Sequence, residues 1–133
     1  MTSDDIVEVT VTALDPDWLI DLCHQLVDAR LAASAHVIHP ITSVYRWDGA
    51  VHQATEARAF LRSRHALLGE LTAFIVKRHP YEVPNITAVP IVGGNPDYLA
   101  WARAATSKPL ERPLIWHSGK SPVAARCSPP RGR

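Results

Sequence analysis

Two strand-like runs flank the dipeptide Asp48-Gly49, and together they restrict the chain to a small set of folds. Asp-Gly between alternating runs is a strong hairpin signal, since both central residues of the tight turn must accept positive φ. The incoming run places Val37, Ile41, Ser43, Tyr45 and Trp47 on one face, and the outgoing run does the same with Thr55, Ala57, Ala59 and Leu61. The pattern extends from Ala35 to Leu61, so each strand has about 12 residues where five or six is usual. With 133 residues the chain suits one domain with one core, whose own helices cannot cover so long a ribbon. The distal half is expected to pair with or pack on another copy, because an exposed ribbon edge invites pairing.

The remaining elements follow from their periodicities. Val7, Val9 and Val11 alternate with Glu8, Thr10 and Thr12, the pattern of a strand with one buried face. Asp15-Pro16 reads as a cap followed by the first helical residue, and Leu19, Leu22, Cys23, Leu26 and Val27 then form one helical stripe. Ser63 is the expected cap of a second helix that buries Leu67, Leu68, Leu71, Phe74 and Ile75 and stops at Pro80. A strand over Ile86–Ile91 carries Pro90, which suits an edge. Asn95-Pro96 opens a third helix with Tyr98, Leu99, Trp101 and Ala102. The order predicts an α+β fold, the ferredoxin-like split β-α-β with a long hairpin and a C-terminal helix.

Charge divides the chain. Residues 1–106 hold eight Lys/Arg against twelve Asp/Glu, whereas residues 107–133 hold six against one, together with five of the eleven prolines. The expected domain is 1–106, followed by a Pro/Arg-rich tail over 107–133 too poor in apolar pattern to order. An acidic body is not expected to bind nucleic acid. No apolar run approaches the roughly 18 residues of a membrane span, and the polar start Met1-Thr2-Ser3-Asp4-Asp5 is unlike a secretory signal, so the cytoplasm is the expected compartment. Two cysteines, Cys23 and Cys127, do not make a disulfide framework.

Four motifs carry a resemblance: Leu31-Ala32-Ala33, the hairpin residues Thr42, Ser43, Tyr45, Trp47 and Gly49 with Glu56 after them, the hexapeptide His79–Pro84, and Tyr98-Leu99 with Trp101. In these, from about Val7 to Ala105, the chain resembles the CutA family of divalent-cation tolerance proteins. The resemblance implies a homotrimer whose long hairpins pair between subunits, and an association with tolerance of copper and other divalent metals. It attaches no enzymatic activity, so the chain is not expected to be an enzyme; no cofactor is expected to be required, and a divalent metal such as copper is the one it could take. The alternative is a PII-like trimeric signalling module that takes a small ligand in intersubunit clefts. The departures bear on mechanism. Ser34 and Val11 stand where relatives often carry cysteine, which removes thiol ligands suited to copper(I). Arg62-Ser63 replaces a Lys-Thr pair, and Ala50 replaces a Lys.

The candidate binding residues are Tyr45, Trp47, Glu56, Arg62, Tyr81 and Glu82, with His79 as the metal candidate. Neutral imidazole suits copper, zinc and nickel, but His79 and Glu82 bracket the end of a helix, where satisfying backbone groups is the commoner role. Tyr45 and Trp47 read as contact residues of the trimer rather than as substrate stackers. Glu56 and Arg62 share a face of one strand roughly 20 Å apart, too far to pair. His36 and His39 fall on opposite faces of a regular strand, so joint chelation needs a bend at Pro40. No HExxH, CxxC, GxSxG or Walker sequence is present.

Overall fold

The computed structural model describes residues 2–107. Strand β1 (Ile6–Ala13) leads to helix α1 (Pro16–Asp28), then to the hairpin of β2 (Ser34–Trp47) and β3 (Ala50–Arg64). Helix α2 (Leu68–Arg78), strand β4 (Ile86–Pro90) and helix α3 (Pro96–Ala105) complete the described chain. All strand pairs are antiparallel and the sheet order is β2-β3-β1-β4. This is the expected α+β, ferredoxin-like arrangement, and Pro90 does lie on an edge strand, where its missing N–H disturbs no ladder. Of the tail expected over 107–133, all but Ser107 lies outside the described residues, Cys127 and the expected lack of order included.

Local chemistry accounts for the element ends. The Asp15 carboxylate accepts from the Asp17 N–H, and the Asn95 side chain accepts from the Asp97 N–H, each with proline at the first helical turn, where no N–H is missed. Asp48 and Gly49 turn the hairpin with φ of 53° and 80°, the positive values that such a turn requires.

Val7, Val9 and Val11 meet Leu19, Leu22, Cys23 and Leu26 of α1, Leu71 and Ile75 of α2, and Ala57, Ala59 and Leu61 of β3 in the main core. Ile6, on the other face of β1, joins Ala33 and Ala102 in a smaller cluster under α3. The end of α3 is clasped by two arginines. Arg30 donates to the Ala105 carbonyl at 3.3 Å, and Arg64 donates to the Thr106 carbonyl at 2.9 Å and to its hydroxyl at 3.0 Å. Guanidinium groups there meet the carbonyls that a helix end leaves without partners, and favour the negative end of its dipole.

Three expectations need correction. Ser63 does not cap α2. It is fully buried in β3 and donates to the Leu31 carbonyl at 2.7 Å; β3 stays paired with β1 as far as Arg64, and a 3-10 turn over His65–Leu67 precedes α2. Val27, at the end of the α1 stripe, is 39% exposed.

The third correction concerns the hairpin. Ala35 pairs with Leu61 and Val37 with Ala59, but beyond a register shift between Ile38 and Ile41 the partners become Ile41–Glu56, Ser43–Ala54, Tyr45–His52 and Trp47–Ala50. His39 and Pro40 together oppose Ala57, which is a β-bulge. One extra residue exchanges the two faces of everything beyond it. Val37 therefore faces the helices, while Ile41, Ser43, Tyr45 and Trp47 face the opposite side together with Glu56. The period-two reading failed because it ran straight through the bulge.

Candidate functional site

The site lies where the α2–β4 connection crosses the end of β1 and reaches the hairpin. Pro80 cannot continue α2, and His79 turns inward in extended conformation with only 7% of its surface exposed. Its Nε2 lies 2.8 Å from the Thr12 carbonyl, and its Nδ1 accepts from the Tyr81 N–H at 3.1 Å. A nitrogen facing a carbonyl must donate and one facing an amide must accept, so these partners fix the neutral tautomer protonated at Nε2. Trp18 packs edge-on against the ring, with centroids 5.0 Å apart.

His79 in turn places Tyr81, whose ring centroid is 4.6 Å from the imidazole. The Tyr81 hydroxyl donates to Oε2 of Glu56. Burial, this bond and the negative charge of Glu56 push the hydroxyl's ionisation well above the ordinary tyrosine range. Tyr45 lies on the same hairpin face as Glu56 and stacks on His52 with centroids 5.5 Å apart. His52 also contacts the Trp47 carbonyl through Nε2 at 3.1 Å. Tyr45 and Trp47 are 46% and 49% exposed.

Glu56 and Tyr81 are therefore brought together, with His79 behind Tyr81 as the post, while Tyr45 lies further out on the same hairpin face, opposite His52. Arg62 is elsewhere: its Nε and Nη2 both bond Oε1 of Glu8, at 3.2 and 2.8 Å across β3 and β1. Glu82 is exposed, and of the two it is His79 whose side chain satisfies backbone groups at the helix exit. His52 and Arg58 were missed by sequence reasoning. The available signal was alternation, since both share the Glu56 face of β3.

A metal at His79 would have to displace a backbone hydrogen bond from one nitrogen or the other. Among the described residues, no group of three or more His, Cys, Asp or Glu gathers in a way that could hold an ion. The donors among the described residues of one chain thus do not fit a closed metal site.

The hairpin, the hexapeptide and the sheet order now meet the comparison that decides the family. A family model described as CutA1 divalent ion tolerance protein matches residues 7–105. The chain belongs to the CutA family. Protein CutA homolog of Xenopus laevis is 40% identical over 81 residues, covering 61% of this chain and 54% of that protein. The divalent-cation tolerance protein CutA of Thermus thermophilus is 34% identical over 98 residues, covering 74% of this chain and 95% of that one. The crystal structure of CutA1 from Oryza sativa superposes with a TM-score of 0.76 at 33% identity, covering 78% of this chain and 95% of that chain. The chain thus spans about half the length of the animal relatives and nearly all of the bacterial ones. Among the described residues, no helix is long and apolar enough to cross a membrane.

Proposed function

We propose that this CutA-family chain works as a non-enzymatic homotrimer of the cytoplasm that responds to divalent metal ions. The observation that carries the reading is the overhang of the hairpin. Beyond the Ala57–Ala13 pair no third strand among the described residues accompanies it, and Val44, Tyr45, Trp47 and Val51 stand 46–66% exposed. A two-stranded ribbon is only marginally stable in water, so a neighbouring copy is its natural cover.

The divalent ion, copper being the case to test, is read as cargo held by donors from more than one copy, with the exposed His52 as this chain's candidate donor. Absence of catalysis is favoured by the state of the nucleophiles. Burial pushes the Cys23 thiol up to about 11, and the Tyr81 hydroxyl is held protonated by Glu56; neither is activated at neutral pH.

Native mass spectrometry of the purified chain, with and without copper(II), tests both parts. The expected result is a trimer that binds copper at one equivalent per chain or less. A monomer at micromolar concentration overturns the assembly, and a trimer that takes up no copper overturns the metal reading.

A further inference from the structure

The far side of the sheet, opposite α1 and α2, carries an arginine whose hydrogen-bonding capacity is largely unused. Arg58 lies on the Glu56 face of β3, with its guanidinium 5.0 Å from the centre of the Phe60 ring. Its one hydrogen bond within the described chain is a long one, Nη2 to the Thr10 hydroxyl at 3.4 Å. Its Nε is shielded from solvent and has no partner, and among the described residues it is the buried side-chain polar atom of which this is true. An N–H removed from water and left unpaired is a cost that folded proteins seldom leave standing.

The nearest carboxylate by register is Glu56, two residues along the same strand and on the same face. The two do not pair: the ion pairs among the described residues are Arg62–Glu8 and Arg64–Asp4. Glu56 instead turns to Tyr81 with Oε2, and its Oε1 makes no hydrogen bond within the described chain. One face of one strand therefore presents a cation short of acceptors beside an anion with an oxygen to spare, and each is held away from the other by its own neighbours. Ile38 and Val89, on the same face, are 49% and 55% exposed and supply apolar surface for a partner to cover.

Resting on the trimer reading, we infer that Arg58 of one copy pairs with Glu56 of the next, so that each subunit's Glu56–Tyr81 site is completed by its neighbour. The guanidinium swings off Phe60 and Thr10 as the copies meet, which brings Nε out of its shielded position and onto the partner's carboxylate. A bidentate guanidinium–carboxylate pair at a desolvated contact fixes orientation as well as affinity.

The test is sedimentation of the full chain across a dilution series, with circular dichroism to monitor folding. Arg58→Ala and Arg58→Glu are expected to raise the dissociation midpoint on the order of a hundredfold, and Glu56→Lys to do likewise. The double variant Glu56→Lys/Arg58→Glu, which restores opposite charges between copies, is expected to recover most of that loss. If Arg58→Glu fails to fold, Arg58→Ala decides. A trimeric parent with an unchanged midpoint in Arg58→Ala overturns this pair alone, whereas a monomeric parent overturns the trimer reading and this pair with it.

Discussion

The two halves of the hairpin are built from similar residues and have opposite circumstances. In the half nearest the core, Ala57, Ala59 and Leu61 are fully buried against α1 and β1. In the other half, Val44 and Val51 are 66% and 62% exposed on a ribbon about 24 Å long that no third strand among the described residues accompanies. Hydrophobic residues at strand spacing are thus not in themselves a core. The first half is held by its own chain, and the second has the same pattern without the cover.

The sharpest way to break this contrast is to truncate one apolar side chain in each half and follow unfolding by denaturant. Leu61→Ala is expected to cost about 2–5 kcal/mol, since a fully buried leucine leaves a cavity. Val44→Ala is expected to stay within about 0.5 kcal/mol when measured at concentrations where the chain is monomeric. Equal losses would mean that the ribbon is covered within a single chain.

Ser63→Ala probes the polar fastening of the inner half. It leaves the buried Leu31 carbonyl without its 2.7 Å donor, and a loss of about 1–3 kcal/mol in urea unfolding is expected. An unchanged midpoint would show that water reaches that carbonyl.

Tyr81→Phe tests the joint between the halves. It removes one charge-assisted bond at a partly exposed position, and a loss of about 1 kcal/mol is expected. The parent should also lose ground on the variant above pH 10, because the folded chain keeps the hydroxyl protonated while the unfolded chain ionises it.

The smallest effect belongs to Cys23. Its thiol ionises near 9.0 ordinarily and near 11 in the folded chain. Its contribution is therefore complete below pH 9 and is lost as the pH rises toward 11. Thermal melts of Cys23→Ala should accordingly fall less than those of the parent across that interval, by a few degrees at most. Parallel curves would mean that the thiol reaches solvent.

Much of the fold was legible because its signals are local. Asp48-Gly49, Asp15-Pro16 and Asn95-Pro96 each specify a turn or a helix start through their own backbone chemistry, and each lies where that chemistry puts it. The bulge was not legible, since it is a two-to-one mismatch between His39-Pro40 and Ala57 that exists only once β3 is paired. Ser63 misled for a related reason: a serine before a helical stripe looks like a cap until the pairing of β3 with β1 carries the strand past it. Of the candidate site, Glu56, Tyr81 and Tyr45 were found by resemblance, but the roles of His79 and Arg58 depend on neighbours distant in sequence. Thr12 and Thr10 belong to β1, and no spacing within the hexapeptide or the hairpin announces them.

The clasp of Arg30 and Arg64 at the end of α3 has a practical use. It turns the helix end from a fraying terminus into a fixed exit, anchored to the end of α1 on one side and to β3 on the other. A spectroscopic reporter joined directly after Ser107 would inherit the tumbling of the body rather than its own. Such a reporter would then follow the rotation of the whole domain, and neutralising Arg30 is expected to loosen it.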